Sequence, residues 1–170
     1  VQVQKSKDAG ADLLFMPFYY TEASLVLAEC NKQGYEPTFF GCDGMDGILS
    51  VENFDTSLAE GLTFLAPFVA KSSDEKVQNF VSKYEEAYGE TPNQFAADAY
   101  DCVYVVKDAI EKAGATPDMS VSDLCDAMKT AMTEISYSGV TGKDITWEAS
   151  GEPNKAPLVV KVVDGEYTEV

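Results

Sequence analysis

The chain has 170 residues, 29 acidic against 12 basic side chains, a formal net charge of −17 and no histidine; every basic residue is a lysine. That charge repels phosphate backbones and disfavours a polybasic membrane-surface patch, which weighs against nucleic acid as a partner. Without histidine there is no Ser-His or Cys-His nucleophile, and without arginine there is no bidentate clamp for carboxylates or phosphates.

Val1 to Ala9 has a helical pattern that Gly10 closes. A chain opening in mid-helix is expected to be a piece of a longer product. Asp12 to Pro17 then forms an apolar strand, and Phe18-Tyr19-Tyr20-Thr21-Glu22-Ala23 opens a helix running from Thr21 to Gln33. After a break at Gly34, a second strand at Thr38-Phe39-Phe40 ends in Gly41-Cys42-Asp43-Gly44-Met45-Asp46-Gly47. Strand, helix, strand at this spacing is a βαβ unit with a right-handed crossover. Adjacent parallel strands lie about 4.8 Å apart. The carboxyl ends bearing Tyr19 and Asp43 therefore open onto one crevice, the place where open α/β sheets bind ligands. An aromatic wall and a carboxylate with no basic residue nearby suit a small ligand carrying an ammonium group. Each also has a plainer role: Tyr19 or Tyr20 packing over the sheet edge, Asp43 capping a turn through Gly44, and Asp46 serving as a cap or loop residue.

A third strand, Gly61 to Pro67, follows an irregular stretch from Val51 to Glu60. Ser72 and Glu75 read as a capping box for a helix whose stripe is Val77, Phe80, Val81, Tyr84 and Tyr88, with Gly89 as its stop. A longer helix spans about Gln94 to Ala113, with Phe95, Ala99, Cys102, Val103, Val106 and Ile110 expected inward. Ser120 and Asp123 cap a third helix, whose expected buried face is Val121, Leu124, Cys125, Met128 and Met132. Short strands are expected from Asp144 to Trp147 and from Leu158 to Val163, with a hairpin at Asp164-Gly165. Trp147 is expected to cover the sheet from a strand.

The four cysteines, Cys30, Cys42, Cys102 and Cys125, lack metal-binding spacing, and no cofactor or metal is expected. Cys102 and Cys125 lie on successive helices and could meet in a disulfide, though a buried pair of free thiols is the expectation. No apolar run approaches the roughly 18 residues of a membrane span.

The ordered series Gly10-Ala11-Asp12, Tyr19-Tyr20-Thr21-Glu22, Gly41-Cys42-Asp43-Gly44, Glu60-Gly61-Leu62, Phe80 to Tyr84, Tyr88 to Pro92, Ala99-Tyr100-Asp101 and Gly139 to Gly142 resembles the second half of type I periplasmic (solute-) binding proteins of the branched-chain amino acid class. The resemblance covers essentially the whole chain. It implies an α/β fold with a Rossmann-like parallel sheet, forming the second half of a two-lobed protein. Residues 1–68 would belong to the carboxy-terminal lobe, 69–154 to the other lobe, and 155–170 would return as closing strands. It further implies an extracytoplasmic component of an ABC transporter, periplasmic or anchored at the cell surface, that delivers a small amino acid to a membrane permease. Tyr19, with Tyr20, would wall the pocket, Asp43 would bind the α-ammonium, and Phe95 would line the side-chain pocket. The ligand carboxylate would be held by the amino-terminal half of the same protein, which these residues do not include. No chemistry is expected; binding proceeds by lobe closure.

Three other readings compete. A receptor's extracellular sensing domain would use the same fold. A doubly wound enzyme would need a GxGxxG turn, a P-loop or a GxSxG elbow, none of which occurs. A receiver-like magnesium site at Asp43 and Asp46 would need further acids at a separate strand end.

Overall fold

Leu13–Met16, Thr38–Gly41 and Thr63–Ala66 form three adjacent parallel strands, β1 to β3, in register Leu14 against Phe39 and Phe40 against Thr63. The computed structural model describes residues 1–170, which divide into two compact units, Val1–Lys71 with Pro157–Val170, and Ser72–Ala156.

In the first unit, helix α1 (Gln2–Asp8) precedes β1, and helix α2 (Tyr20–Lys32) crosses from β1 to β2. Glu22 in the first turn of α2 and Lys32 in its last complement the helix dipole. Between β2 and β3 the chain makes three short 3-10 turns, Asp43–Met45, Ile48–Ser50 and Thr56–Ala59. Strands β4 (Leu158–Val163) and β5 (Glu166–Glu169) complete the order β1-β2-β3-β4-β5, both pairing antiparallel. The sheet is therefore mixed. Its antiparallel edge comes from the Asp164-Gly165 hairpin, whose two residues hold positive φ of 53° and 74° as a primed turn requires.

The alternation of side chains along the strands sends Met16, Phe64, Ala66, Val160 and Val162 to one face, with Leu14 and Phe39 packed beside them. There they meet Ala23 and Leu27 of α2 and Met45, Ile48, Ala59 and Leu62 of the connecting segment. Each fully buried Leu, Ile, Val, Phe or Met among them contributes about 1.5–3 kcal/mol. The opposite face carries Leu13, Phe15 and Val159, all exposed, and Phe15 stacks on Phe40 with ring centroids 6.2 Å apart.

The second unit holds helices α3 (Glu75–Tyr88), α4 (Gln94–Ala113) and α5 (Val121–Met132). The cap of α3 is Asp74 and not Ser72: Asp74 Oδ1 accepts from Lys76 N at 2.9 Å, while Ser72 Oγ accepts from Asp74 N and shapes the turn before it. Lys143, paired with Asp74 at 2.8 Å, together with the Lys76 N–H, lowers the Asp74 carboxyl pKa. Asn93 caps α4 through Ala96 N, and Ser120 caps α5 through Asp123 N, as its sequence suggests. Helices α3 and α4 meet through a ladder of rings: Tyr88 to Tyr84 at 4.6 Å, Tyr84 to Phe80 at 5.9 Å, Phe80 to Tyr100 at 4.8 Å, and Tyr100 to Tyr104 at 4.9 Å.

The phase of α4 differs from expectation. It buries Gln94, Ala97, Asp101 and Ala109, whereas Ala99, Cys102, Val103, Val106 and Ile110 are exposed and Phe95 is half-buried. On α5, Val121 and Cys125 are likewise exposed and Ala131 is the buried residue. Apolar periodicity marks a stripe but does not say which side finds a partner. Cys102 and Cys125 are thus exposed free thiols, not buried ones. The strand expected from Asp144 to Trp147 reduces to two single bridges, Tyr137 with Ile145 and Trp147 with Pro153. Asp144, at φ 52°, breaks the extended run, so Trp147 is half-buried on no sheet.

Candidate functional site

Two loops leave the carboxyl ends of β1 and β2, whose last residues, Met16 and Gly41, pair directly. In the first, Phe18 packs against the core and Tyr19 takes the extended N-cap position of α2, leaving its side chain 62% exposed. Tyr20, the first helical residue, is half-buried; its ring lies against Gly47, where an added Cβ would meet it at 3.0 Å.

In the second loop, Asp43 opens the first 3-10 turn, and its side chain is exposed. Asp46 N closes that turn on Asp43 O at 3.2 Å, and Asp46 itself is buried. Met45, fully buried, folds back over Gly41. The two loops touch at Gly44. A Cβ there would stand 2.8 Å from Phe18 O, closer than real side chains come, and 3.3 Å from Tyr19 Cα. Glycine at 44 is what lets the Asp43 turn lie against the backbone of Tyr19. The geometry thus brings Tyr19 and Asp43 onto neighbouring loops, with Tyr20 beneath the second.

From Gly47 onward the second loop becomes a strap. Gly47 takes φ 110°, a conformation costly for other residues. Tyr167, on β5, reaches the strap with its hydroxyl, which accepts from Gly47 N at 3.0 Å and Leu49 N at 3.3 Å. Its ring packs edge-on to Phe64 at 5.6 Å. Burial, followed by the nearby Asp46 charge, pushes the Tyr167 phenol up to about 12. No lysine occurs between Lys7 and Lys32 or between Lys32 and Lys71, so neither loop carries a side-chain cation of its own. The sequence carried no signal for Tyr167 beyond an aromatic residue with a polar tip on a hairpin strand.

Phe95 lies in the second unit, half-buried in the first turn of α4. That unit has its own polar centre. The buried Asp101 carboxylate accepts from Tyr137 Oη (3.0 Å), Val140 N (3.0 Å), Thr141 N (2.8 Å) and Thr141 Oγ1 (2.7 Å). Burial and this hydrogen bond to Asp101 raise the Tyr137 phenol above its ordinary range. The motifs Ala99-Tyr100-Asp101 and Gly139-Val140-Thr141-Gly142 are therefore two sides of one contact. No set of three or more cysteine, aspartate or glutamate side chains is arranged to hold a metal ion. No helix is long and apolar enough to cross a membrane.

Comparison with known proteins agrees with this architecture. The family model described as periplasmic binding protein matches residues 1–166. A Leu/Ile/Val-binding protein homolog 2 from Brucella abortus is 28% identical over 174 residues, covering 97% of this chain and 43% of its own length. The branched-chain amino acid transporter substrate-binding protein LivJ from Streptococcus pneumoniae, solved with isoleucine, superposes with a TM-score of 0.74 at 25% identity. That match covers 94% of this chain and 45% of LivJ. A solute-binding protein from Rhodopseudomonas palustris, solved with benzoate, shares the fold at TM-score 0.81 and 15% identity, over 99% of this chain and 45% of its own. The chain spans a little under half the length of each of these. It belongs to the periplasmic binding protein family, a family of solute-binding proteins and not of enzymes.

Proposed function

We propose that the full-length protein is the extracytoplasmic binding component of an ABC transporter for a branched-chain or other small neutral amino acid. The observation that carries this is the Gly44 contact, which lays the turn opened by the exposed Asp43 against the backbone of Phe18 and Tyr19 at the carboxyl ends of adjacent parallel strands. Asp43 pairs with the ligand's ammonium group, and Tyr19 presents its ring to the ligand's apolar part. Tyr20, turned against Gly47, backs the strap. The names of the Brucella and Streptococcus relatives support an amino acid as ligand. On this reading residues 1–68 and 155–170 belong to the carboxy-terminal lobe and 69–154 to the other, and closure of the full-length protein around the ligand forms the surface a permease reads.

A thermal-shift panel on the full-length product, with leucine, isoleucine, valine, small amides and benzoate, tests the reading. Stabilisation by a branched-chain amino acid supports it. Asp43→Asn should then weaken that affinity by at least about thirtyfold, the usual cost of truncating one partner of a desolvated charge pair. Stabilisation by benzoate alone, which has no amine, would overturn it.

A further inference from the structure

The segment from Asp43 to Val51 crosses the sheet end with little regular hydrogen bonding. Its turns close through Met45 N to Cys42 O, Asp46 N to Asp43 O and Ser50 N to Gly47 O. At the joint between the first two turns, the Gly47 and Leu49 N–H groups both converge on one atom, Tyr167 Oη. The same joint has the Tyr20 ring beside it, where a Cβ on Gly47 would meet ring carbons at 3.0 Å, so Gly47 has a hydroxyl on its N–H and a ring where a side chain would go. Tyr167 does not need its hydroxyl for the sheet: β5 pairs with β4 through backbone groups, and the ring's contact with Phe64 is made by carbon. A phenylalanine would keep both. What only tyrosine supplies is a half-buried acceptor for two backbone donors in the strap, which continues the loop that begins at Asp43.

We propose that Tyr167 is a positioning residue for ligand binding, which locks the Gly47–Leu49 joint and thereby fixes where Asp43 holds its carboxylate. This rests on Asp43 being the ammonium site. A displaced carboxylate loses its ligand contact even when the protein stays folded, because binding depends on a preorganised geometry.

The test uses full-length wild type, Tyr167→Phe, and Phe64→Leu as a variant that loosens the same packing but keeps the hydroxyl. Leucine affinity, thermal midpoint and amide hydrogen exchange are read for each. Tyr167→Phe should exchange the Gly47–Leu49 amides faster while β1–β3 stay protected, and should bind leucine about tenfold more weakly, equivalent to one good hydrogen bond. Phe64→Leu should lower the midpoint and leave the affinity of the folded protein unchanged. If Tyr167→Phe binds leucine as wild type does, or if Phe64→Leu loses affinity equally, the positioning role is overturned while the Asp43 site stands. Wild type that ignores leucine overturns the Asp43 reading itself, and with it this proposal.

Discussion

Gly44 lies against the carbonyl of Phe18 so closely that a single added methyl would stand 2.8 Å from that oxygen. The neighbour is backbone, not a flexible side-chain tip, so Gly44→Ala must push the two loops apart. Overpacking of this kind costs about 1–3 kcal/mol. The expected result in the full-length protein is a modest fall in thermal midpoint with a disproportionate loss of ligand affinity. Equal affinity in the alanine variant would show that the two loops bind independently.

In the second unit, Asp101 anchors the segment from Tyr137 to Thr141 through four accepted hydrogen bonds. Asp101→Ala leaves those donors without their acceptor, and a loss on the order of 3 kcal/mol or more is expected in chemical denaturation. Gly139→Ala should destabilise the same centre, because its methyl would fall 2.2 Å from Asp101 Oδ1. If either variant unfolds at the wild-type midpoint, the anchor carries no net stability.

Alkaline pH should weaken the fold through two half-buried phenols. Tyr167 ionises at about 12 in the folded chain, against an ordinary 10.0, and Tyr137 is raised as well. Above pH 10 the unfolded chain sheds these protons first, so stability is full below 10 and falls as pH climbs towards 12. The shift at Tyr167 corresponds to on the order of 2–3 kcal/mol. Unfolding midpoints followed across that range should fall more gently in Tyr167→Phe; an identical slope would refute the linkage.

The outer sheet face bears Leu13, Phe15 and Val159, and α4 exposes Val103 at 68%. Parallel strands such as β1 to β3 are ordinarily covered on both faces. The 170-residue chain expressed alone should therefore self-associate, and Phe15→Lys combined with Val103→Lys should shift it towards monomer in sedimentation velocity. A monomeric wild-type fragment would contradict this.

The order of elements was legible because local signals agreed with the final structure. Gly10, Gly34, Gly89 and Gly114 close their helices in left-handed conformation, and Asp164-Gly165 makes the hairpin. The neighbourhood of Tyr19 and Asp43 followed from the βαβ order alone. What stayed hidden was anything set by a distant partner. The buried face of α4 contains Gln94 and Asp101, polar residues that hydropathy places outside, and Asp101 is buried only because residues 137–141 satisfy it. Tyr167 lies far along the chain from the strap it fastens, so no local pattern could have tied the two together.

That separation has a consequence in time. Sheet closure pairs β3 with β4 across the whole of Ser72–Ala156. Such an insertion is tolerable in free energy, since each doubling of a loop adds only about 0.6 kcal/mol to its closure. Its effect is on sequence of events: as the chain is made from its amino end, β1, α2, β2, the strap and β3 all emerge before the second unit, and β4 and β5 after it. Until then β3 offers an open edge, and the Gly47 and Leu49 amides lack the hydroxyl that receives them. The strap is the part of the first unit that must wait longest, completed by a residue that arrives after everything it secures.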